Sequence, residues 1–432
     1  MRVLVASMFP HPHTGGASTH LANLISQLSA RRMLHGLIHG GLVRPSVAER
    51  LGYLAVRCLS RDAVRLALLE NRCGRLRRLI ARSAAGCPDL LIHCHDPLAS
   101  CAALQAGLPT AAIVQTVHGP WSREYQMSGE DPASRTSRRI RQYEEQAFAG
   151  VDLALPVDRG QAAILAEEFA MPAERMRTIE NAVDLAALAA IVPAGGIQGP
   201  RKDCFIVPRR LVPKNGVEYA IRGLARLGGC EATMLVAGDG PLRNSLERLA
   251  ADLGVRRRVQ FLGDVPPPRL LPLIKAAGAV LVPSVPASGV VEATSLAVLE
   301  AMALGVPVIG SAIGGIADIL QDSDCGLLVP PGDVQSLAAA MRTVIEWEPA
   351  ARRQLIQRAF ARVRDRFAVE RWIREIIEAY QQTAERRRPV IAADAGGTPE
   401  LIAHERSGLL VPPADVDVPA AAPSQHPERH AA

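Results

Sequence analysis

The chain has 432 residues, 48% apolar and only 3% aromatic, with a formal charge of +6 carried almost wholly by arginine, since lysine occurs only as Lys202, Lys214 and Lys275. Such a length suits two domains of roughly 150–200 residues, each with its own core, and so few aromatic rings argue against nucleic-acid binding by base stacking. No apolar run approaches the roughly 18 residues of a membrane span, the opening MRVLVASMFPHPHTGG lacks a secretory pattern, and eight cysteines without a C-x-x-C pair fit reduced thiols, so a cytoplasmic location is expected.

Along the chain, short apolar runs alternate with helical stretches. RVLVAS, DLLIHC, AAIVQT and VDLALPV are the strand candidates of the first half; CFIV, TMLVAG, VQFLG, AVLVPS and VPVIG are those of the second. Runs that are apolar throughout, rather than alternating, indicate parallel strands covered on both faces. Between them Val217, Ala220, Ile221 and Leu224 recur at i, i+3, i+4 and i+7, and Leu242, Leu246, Leu249 and Leu253 repeat the theme. The arginine-dense RCGRLRRLIAR, Arg72 to Arg82, places Leu76, Leu79 and Ile80 on one helical face; its arginines read as a solvated surface or as a contact with anionic membrane.

Repeated β-α units predict an α/β protein of two doubly wound Rossmann-like sheets, with ligands at the carboxyl ends of strands. The expected divisions are a first domain over 1–186, an Ala/Gly/Pro-rich linker over 187–203 and a second domain over 204–365. A helix over 366–388 follows, with Trp372, Ile373, Ile376, Ile377 and Tyr380 on its apolar side. Residues 389–432 hold a partial repeat of 307–334 and a tail whose composition reads as disordered.

The densest chemistry lies in PSVPASGVVEATSLAVLEAMALGVPVIGS, which sets Glu292 and Glu300 across a strand-to-helix turn. Thr294 or Ser295 is suited to cap a helix from about Leu296 to Leu304, whose free amides favour a phosphate. Glu300 can accept two hydrogen bonds from a ribose diol, and Glu292 can reach sugar hydroxyls beyond the phosphate. In CFIVPRRLVPKNGVEYAIRGL, strand, basic loop and helix place Arg210 and Lys214 where a diphosphate can be neutralised. His118 and Gly119 follow the strand AAIVQT, a usual place for a ligand-facing residue. Gly15 and Gly16 precede a helix that Ser18 or Thr19 can cap, so their amides can approach an anion.

Each group has a plainer reading as a surface charge, a helix cap or a structural histidine. Metal chemistry is weakly encoded. His93 and His95 share a strand face with Cys94 opposite, and His11 and His13 stand nearby in sequence, but no finger-like spacing supports zinc. Asp322/Asp324 and Asp415/Asp417 fall in loops rather than at strand ends. No G-x-S-x-G elbow supports a serine hydrolase.

Taken in order, the Gly-rich first loop, HCHDP, TVHG, IENAVD, RRLVPKNGV, VAGDGP, FLGDV, the paired glutamates and SAIGG…GLLVPPGD resemble the GT-B fold glycosyltransferases of the retaining family 4 type, the glycosyl transferases group 1. The likeness spans about residues 1–385. It implies two Rossmann-like domains facing a cleft, with the last helix crossing back to the first domain. It implies a hexose donated by a UDP- or GDP-sugar to a sugar or lipid-linked acceptor, with retention of configuration and no bound metal or other cofactor. By resemblance Glu300 binds the ribose, Glu292 the donor sugar, and Arg210 with a following lysine the diphosphate, helped by the Ala293, Thr294 and Ser295 amides. His118 reaches the sugar from the first domain, Gly15 and Gly16 approach the reaction centre, and the edge near His95 and Asp96 faces the acceptor. The leaving phosphate takes the acceptor proton on the same face, so stabilising the departing diphosphate is the main catalytic task.

Three departures stand out. The usual Gly-Phe-Gly after the first glutamate is Ala-Thr-Ser, the usual Gly before the arginine is Arg209, and the usual Lys before Gly216 is Asn215, with Lys214 one place earlier. They motivate a second reading, a non-catalytic nucleotide-sugar-binding or regulatory protein on the same fold. A phosphorylase or epimerase ranks last, because neither Lys214 nor Lys275 stands in a convincing pyridoxal-anchoring context. The repeat beginning at Pro389 copies the stretch beginning at Pro307 at a constant offset of 82 positions. No E-x₇-E helix precedes the second copy, so it is expected to be an inactive remnant.

Overall fold

The structure, a computed structural model, describes residues 1–12, 15–43, 60–87, 89–127, 130–194, 201–228, 230–287, 289–320 and 324–386, with the backbone of 390–393 and 408–411. Two parallel sheets organise it. The first joins β1 (Arg2–Ser7), β2 (Leu34–His39), β3 (Leu90–Cys94), β4 (Ala112–Val117) and β5 (Leu153–Pro156) in the order β2-β1-β3-β4-β5. The second joins β6 (Arg201–Val207), β7 (Thr233–Ala237), β8 (Val259–Gly263), β9 (Ala277–Val282), β10 (Val308–Ser311) and β11 (Leu327–Val329) in the order β11-β10-β9-β6-β7-β8. All neighbouring pairs are parallel.

The apolar runs became nine strands of the two sheets, all the central ones among them, with helices packed between. Every residue of β3, β4 and β9 is buried. The strands not anticipated, β2 and β11, lie at sheet edges and are largely half-buried. LHGLIH, diluted by Gly and two His, carries too weak an apolar signal for a sequence reading. Strand order reverses between β1 and β3 and between β6 and β9. These switch points open a crevice at the carboxyl ends of both sheets, where such folds bind ligands.

The chain crosses between domains twice, and the crossings are hydrogen-bonded to each other. Val183 N donates to Phe367 O at 3.0 Å, and Val369 N donates to Val183 O at 3.1 Å. Ala182 packs in the first domain's core, whereas Val183 and Leu188 pack in the second's. The crossing therefore precedes the expected linker, and Leu185–Ala189 is a short helix on the second domain. Beyond the return crossing, the helix Val369–Arg386 buries Trp372, Ile373, Ile376 and Tyr380 against Val3, Val5, Leu91 and Val114 of the first sheet. This is the GT-B architecture. Among the described residues no helix is long and apolar enough to cross a membrane.

The terminal repeat also forms a parallel strand pair, β12 (Val390–Ala393) with β13 (Gly408–Val411). Its register, Ile391 opposite Leu409, is that of Ile309 opposite Leu327 moved by the repeat offset. Among the described residues the two strands pair with each other and with neither larger sheet.

Candidate active site

Arg209 follows β6 and Ser284 follows β9, so the switch point of the second sheet delivers both to the cleft. The guanidinium of Arg209 is the hub. Nη1 donates to Glu292 Oε1 at 2.9 Å and Nη2 lies 2.7 Å from Oε2, a bidentate pair whose side chains are only 9% and 13% exposed. Nη2 also donates to Asn215 Oδ1 at 2.6 Å and to Ser284 Oγ at 3.1 Å. Burial pushes the Glu292 carboxyl up, but Arg209, helped by the charge of Lys214, outweighs burial and holds it below the ordinary range.

The helix Leu296–Ala303 begins after Ser295 with no side-chain cap. Its mate across the cleft is Gly16–Ala30, which begins after Gly15, at φ 119°, and is also uncapped; Gly15 takes the place expected of Ser18 or Thr19. The two starts face each other, for a methyl placed on Gly16 would lie 3.6 Å from Leu296 Cδ1. Two helix starts without a side-chain cap thus lie close together in the cleft, where their free amides favour an anion. Glu300 stands half-buried on the second helix, and burial pushes its carboxyl up to about 7. The SAIGG turn supports this loop from behind. A Cβ on Gly314 would meet Glu292 O at 2.3 Å and one on Gly315 would meet Thr294 N at 2.6 Å, so only glycine permits that approach.

The first domain grips the same loop. Asp158 Oδ2 accepts from Thr294 N at 3.0 Å, Thr294 Oγ1 donates to Val157 O at 2.6 Å, and Asn181 Nδ2 donates to Thr294 O at 2.8 Å. The Thr294 amide, expected to assist a phosphate, is therefore engaged by Asp158 in this closed arrangement. His118, half-buried after β4, packs edge-on against His20 at a ring separation of 4.8 Å. His95 is buried beside them, and burial pushes His20 down to about 4 against the pull of Asn181. Asp96 is structural. Its oxygens accept from Met8 N at 2.6 Å and Ala99 N at 2.8 Å, which caps a helix and ties down the first loop.

The basic loop is arranged differently from its sequence reading. Arg210 is exposed, and Lys214 reaches across the cleft to Glu124 at 2.8 Å. Asn215 is buried, accepting from Arg209 and donating to Arg210 O at 2.8 Å. The cation beside Glu292 is thus Arg209, which the sequence reading noted only as a departure. The coupled loss of the usual Gly and Lys was the signal that one substitution answers the other. Asp158 and His20 were missed for want of any local motif, and Asn181 because IENAVD, the motif that holds it, shows no partner in the sequence alone. Asp322, His13 and the Asp415/Asp417 pair lie outside the described residues.

Residues 14–187 match the model of Glycosyltransferase Family 4, and residues 197–362 match that of Glycosyl transferases group 1. The chain belongs to the family 4-like glycosyltransferases. An uncharacterized glycosyltransferase of Methanocaldococcus jannaschii is 33% identical over 43% of this chain, and that match spans 46% of its own length, less than half of it. A D-inositol 3-phosphate glycosyltransferase of Salinispora tropica is 26% identical over 85% of this chain and 75% of its own. Among solved structures, Anabaena HepE in complex with UDP-glucose superposes with a TM-score of 0.64 at 19% identity, covering 88% of this chain and all of that one. That likeness is one of fold.

Proposed function

We propose that the protein transfers a hexose from a UDP- or GDP-sugar to a sugar or lipid-linked acceptor with retention of configuration, and that the transfer step uses no metal. The observation that carries this reading is the meeting of two uncapped helix starts beside the Arg209–Glu292 pair. Amides, dipoles and a buried guanidinium converge where a leaving diphosphate gains negative charge. In this reading Glu300 accepts from the ribose hydroxyls and Glu292, held ionised by Arg209, accepts from the donor sugar. Arg210 and Lys214 close on the phosphates, Lys214 by leaving Glu124. The Ala293 and Ser295 amides and the Gly15–Gly16 loop line the same space, and His118 meets the sugar from the opposite wall. The leaving phosphate accepts the proton of the acceptor hydroxyl as the new bond forms on the same face. That the Salinispora relative bears the name of a glycosyltransferase and that HepE was solved with UDP-glucose support a nucleotide-sugar donor.

Peripheral contact with anionic membrane, in a cytoplasmic protein, belongs to the same proposal. Leu76 and Ile80 are buried in the domain core while Arg77 and Arg78 are exposed, so any such contact is electrostatic and weakened by salt. The decisive experiment incubates the protein with UDP- and GDP-hexoses and follows release of nucleotide and the anomeric proton of the product by NMR. Turnover with an unchanged anomer is expected. Failure of every donor to bind or react sinks the reading, and an inverted product sinks its mechanism.

A further inference from the structure

Three imidazoles from separate elements converge at the carboxyl end of the first sheet. His20 comes from the helix Gly16–Ala30, His95 from just after β3, and His118 from just after β4. One ligand nitrogen of each lies within 4.8 Å of the other two. A chain of contacts fixes the tautomer of His20. The Thr294 carbonyl can only accept, so the Asn181 atom 2.8 Å from it is the amide nitrogen. The Asn181 oxygen then faces His20 Nδ1 at 2.8 Å, so Nδ1 carries the proton. That leaves Nε2 as a lone pair, buried and with no hydrogen-bond partner among the described residues.

Both ring nitrogens of His95 are likewise buried with no hydrogen-bond partner among the described residues. Buried polar atoms in folded proteins are rarely left so, and such an atom asks for an explanation. His93 differs, for Tyr380 and Thr116 occupy its two nitrogens and its ring stacks on His95. It braces the cluster rather than joining it, which revises the His93/His95 pairing weighed from sequence. Asp96, next to His95 in sequence, has both oxygens on backbone amides. With Asp96 so engaged, the cluster offers neutral imidazoles rather than the oxygen ligands that hard cations demand, which suits a borderline cation.

We propose that His20, His95 and His118 form a binding site for a divalent transition metal of zinc's class, three imidazoles holding the ion and a fourth position left for water or an anion from the cleft. Zinc–nitrogen bonds of 2.0–2.1 Å in tetrahedral geometry set ligand nitrogens about 3.3 Å apart, so the rings close on the ion by small rotations. Asn181 supplies the outer contact that orients His20, as carbonyl groups commonly do behind metal-bound histidines. The same Asn181 amide holds Thr294, so the site is linked by two hydrogen bonds to the loop that bears Glu292. Metal binding here does not depend on the proposed transferase activity.

The test titrates the full-length protein, cleared of metal by a chelator, with Co²⁺. One cobalt per chain is expected, with the intense visible absorption of four-coordinate cobalt and without a thiolate band. Zinc should displace it and raise the melting temperature, and magnesium should do neither. His118→Ala and His95→Phe, each checked by circular dichroism, should weaken cobalt binding by about tenfold or more, while His39→Ala should not. Absence of cobalt uptake, uptake without the four-coordinate spectrum, or a spectrum that survives both substitutions overturns the proposal. Should His95→Phe fail to fold, His118→Ala, at a half-buried position, decides the matter alone.

Discussion

Arg209 and Glu292, 83 residues apart, are joined by two hydrogen-bonded ion contacts at 2.9 and 2.7 Å, and both side chains are largely buried. Removing one partner leaves the other charge buried without compensation. Arg209→Ala is therefore expected to cost about 2–4 kcal/mol of stability, whereas Glu292→Gln keeps the shape of the site and costs less. Both should reduce kcat/KM for the nucleotide-sugar by more than their effect on folding explains. Urea unfolding and steady-state kinetics on the two variants check this. A stable, fully active Arg209→Ala protein would show that the pair is ornamental.

Glu300 links stability to pH. Its folded-state value of about 7 lies above the ordinary 4.5, so the folded chain holds a proton that the unfolded chain has released. Stability contributed by this group is present below pH 4.5 and is lost as pH rises towards 7. Glu300→Gln should accordingly stabilise the ligand-free protein by up to about 3 kcal/mol at pH 8 and by almost nothing at pH 4. The same change should weaken donor binding, because a carboxamide accepts fewer hydrogen bonds from a diol. Denaturant curves at the two pH values provide the measurement, and an equal gain at both would refute the assignment.

The two copies of the Gly-Gly turn make a controlled pair. Gly315→Ala drives a methyl to within 2.6 Å of Thr294 N, a backbone atom that cannot swing away, so the 292–295 loop must shift. We expect a stability loss of about 1–3 kcal/mol and donor binding weakened by about tenfold. Gly397→Ala, at the matching place in the second copy, should change neither. Thermal shift with UDP-glucose and GDP-mannose compares them directly. An effect at Gly397 as large as that at Gly315 would assign the terminal copy a share of the site.

Deletion of residues 389–432 tests the repeat as a whole. Among the described residues its strands β12 and β13 pair only with each other, so neither larger sheet loses a described neighbour. The truncated chain should keep its circular dichroism spectrum and its turnover, and its melting temperature should stay within about 2 °C of the full chain. Insoluble product or lost activity would show that the terminal pair supports the fold.

Much of the architecture was legible because it depends on local pattern. Continuous apolar runs named nine of the strands, since a strand buried on both faces has no polar side to interrupt it. Strands β2 and β11 escaped because LHGLIH is interrupted by Gly and His and LLV is only three residues long. Glu292, Glu300 and the glycine turn were readable because they stand within one short stretch, around a single helix start. Arg209 shows in the sequence only as a departure from the family pattern, since a residue's neighbours in space, here Glu292, Asn215 and Ser284, appear only when β6 and β9 lie side by side.

By itself, then, the sequence determined the two-sheet plan, the family and the main donor-facing motifs, all of which depend on periodicity and spacing along the chain. Only the tertiary structure decided which arginine serves Glu292, that Asp158 and Asn181 hold Thr294, and that His20, His95 and His118 meet. Such contacts join residues from 23 to 136 positions apart. Packing selects them through burial, hydrogen-bond direction and charge pairing across a cleft, and none of these leaves a mark on the local order of residues.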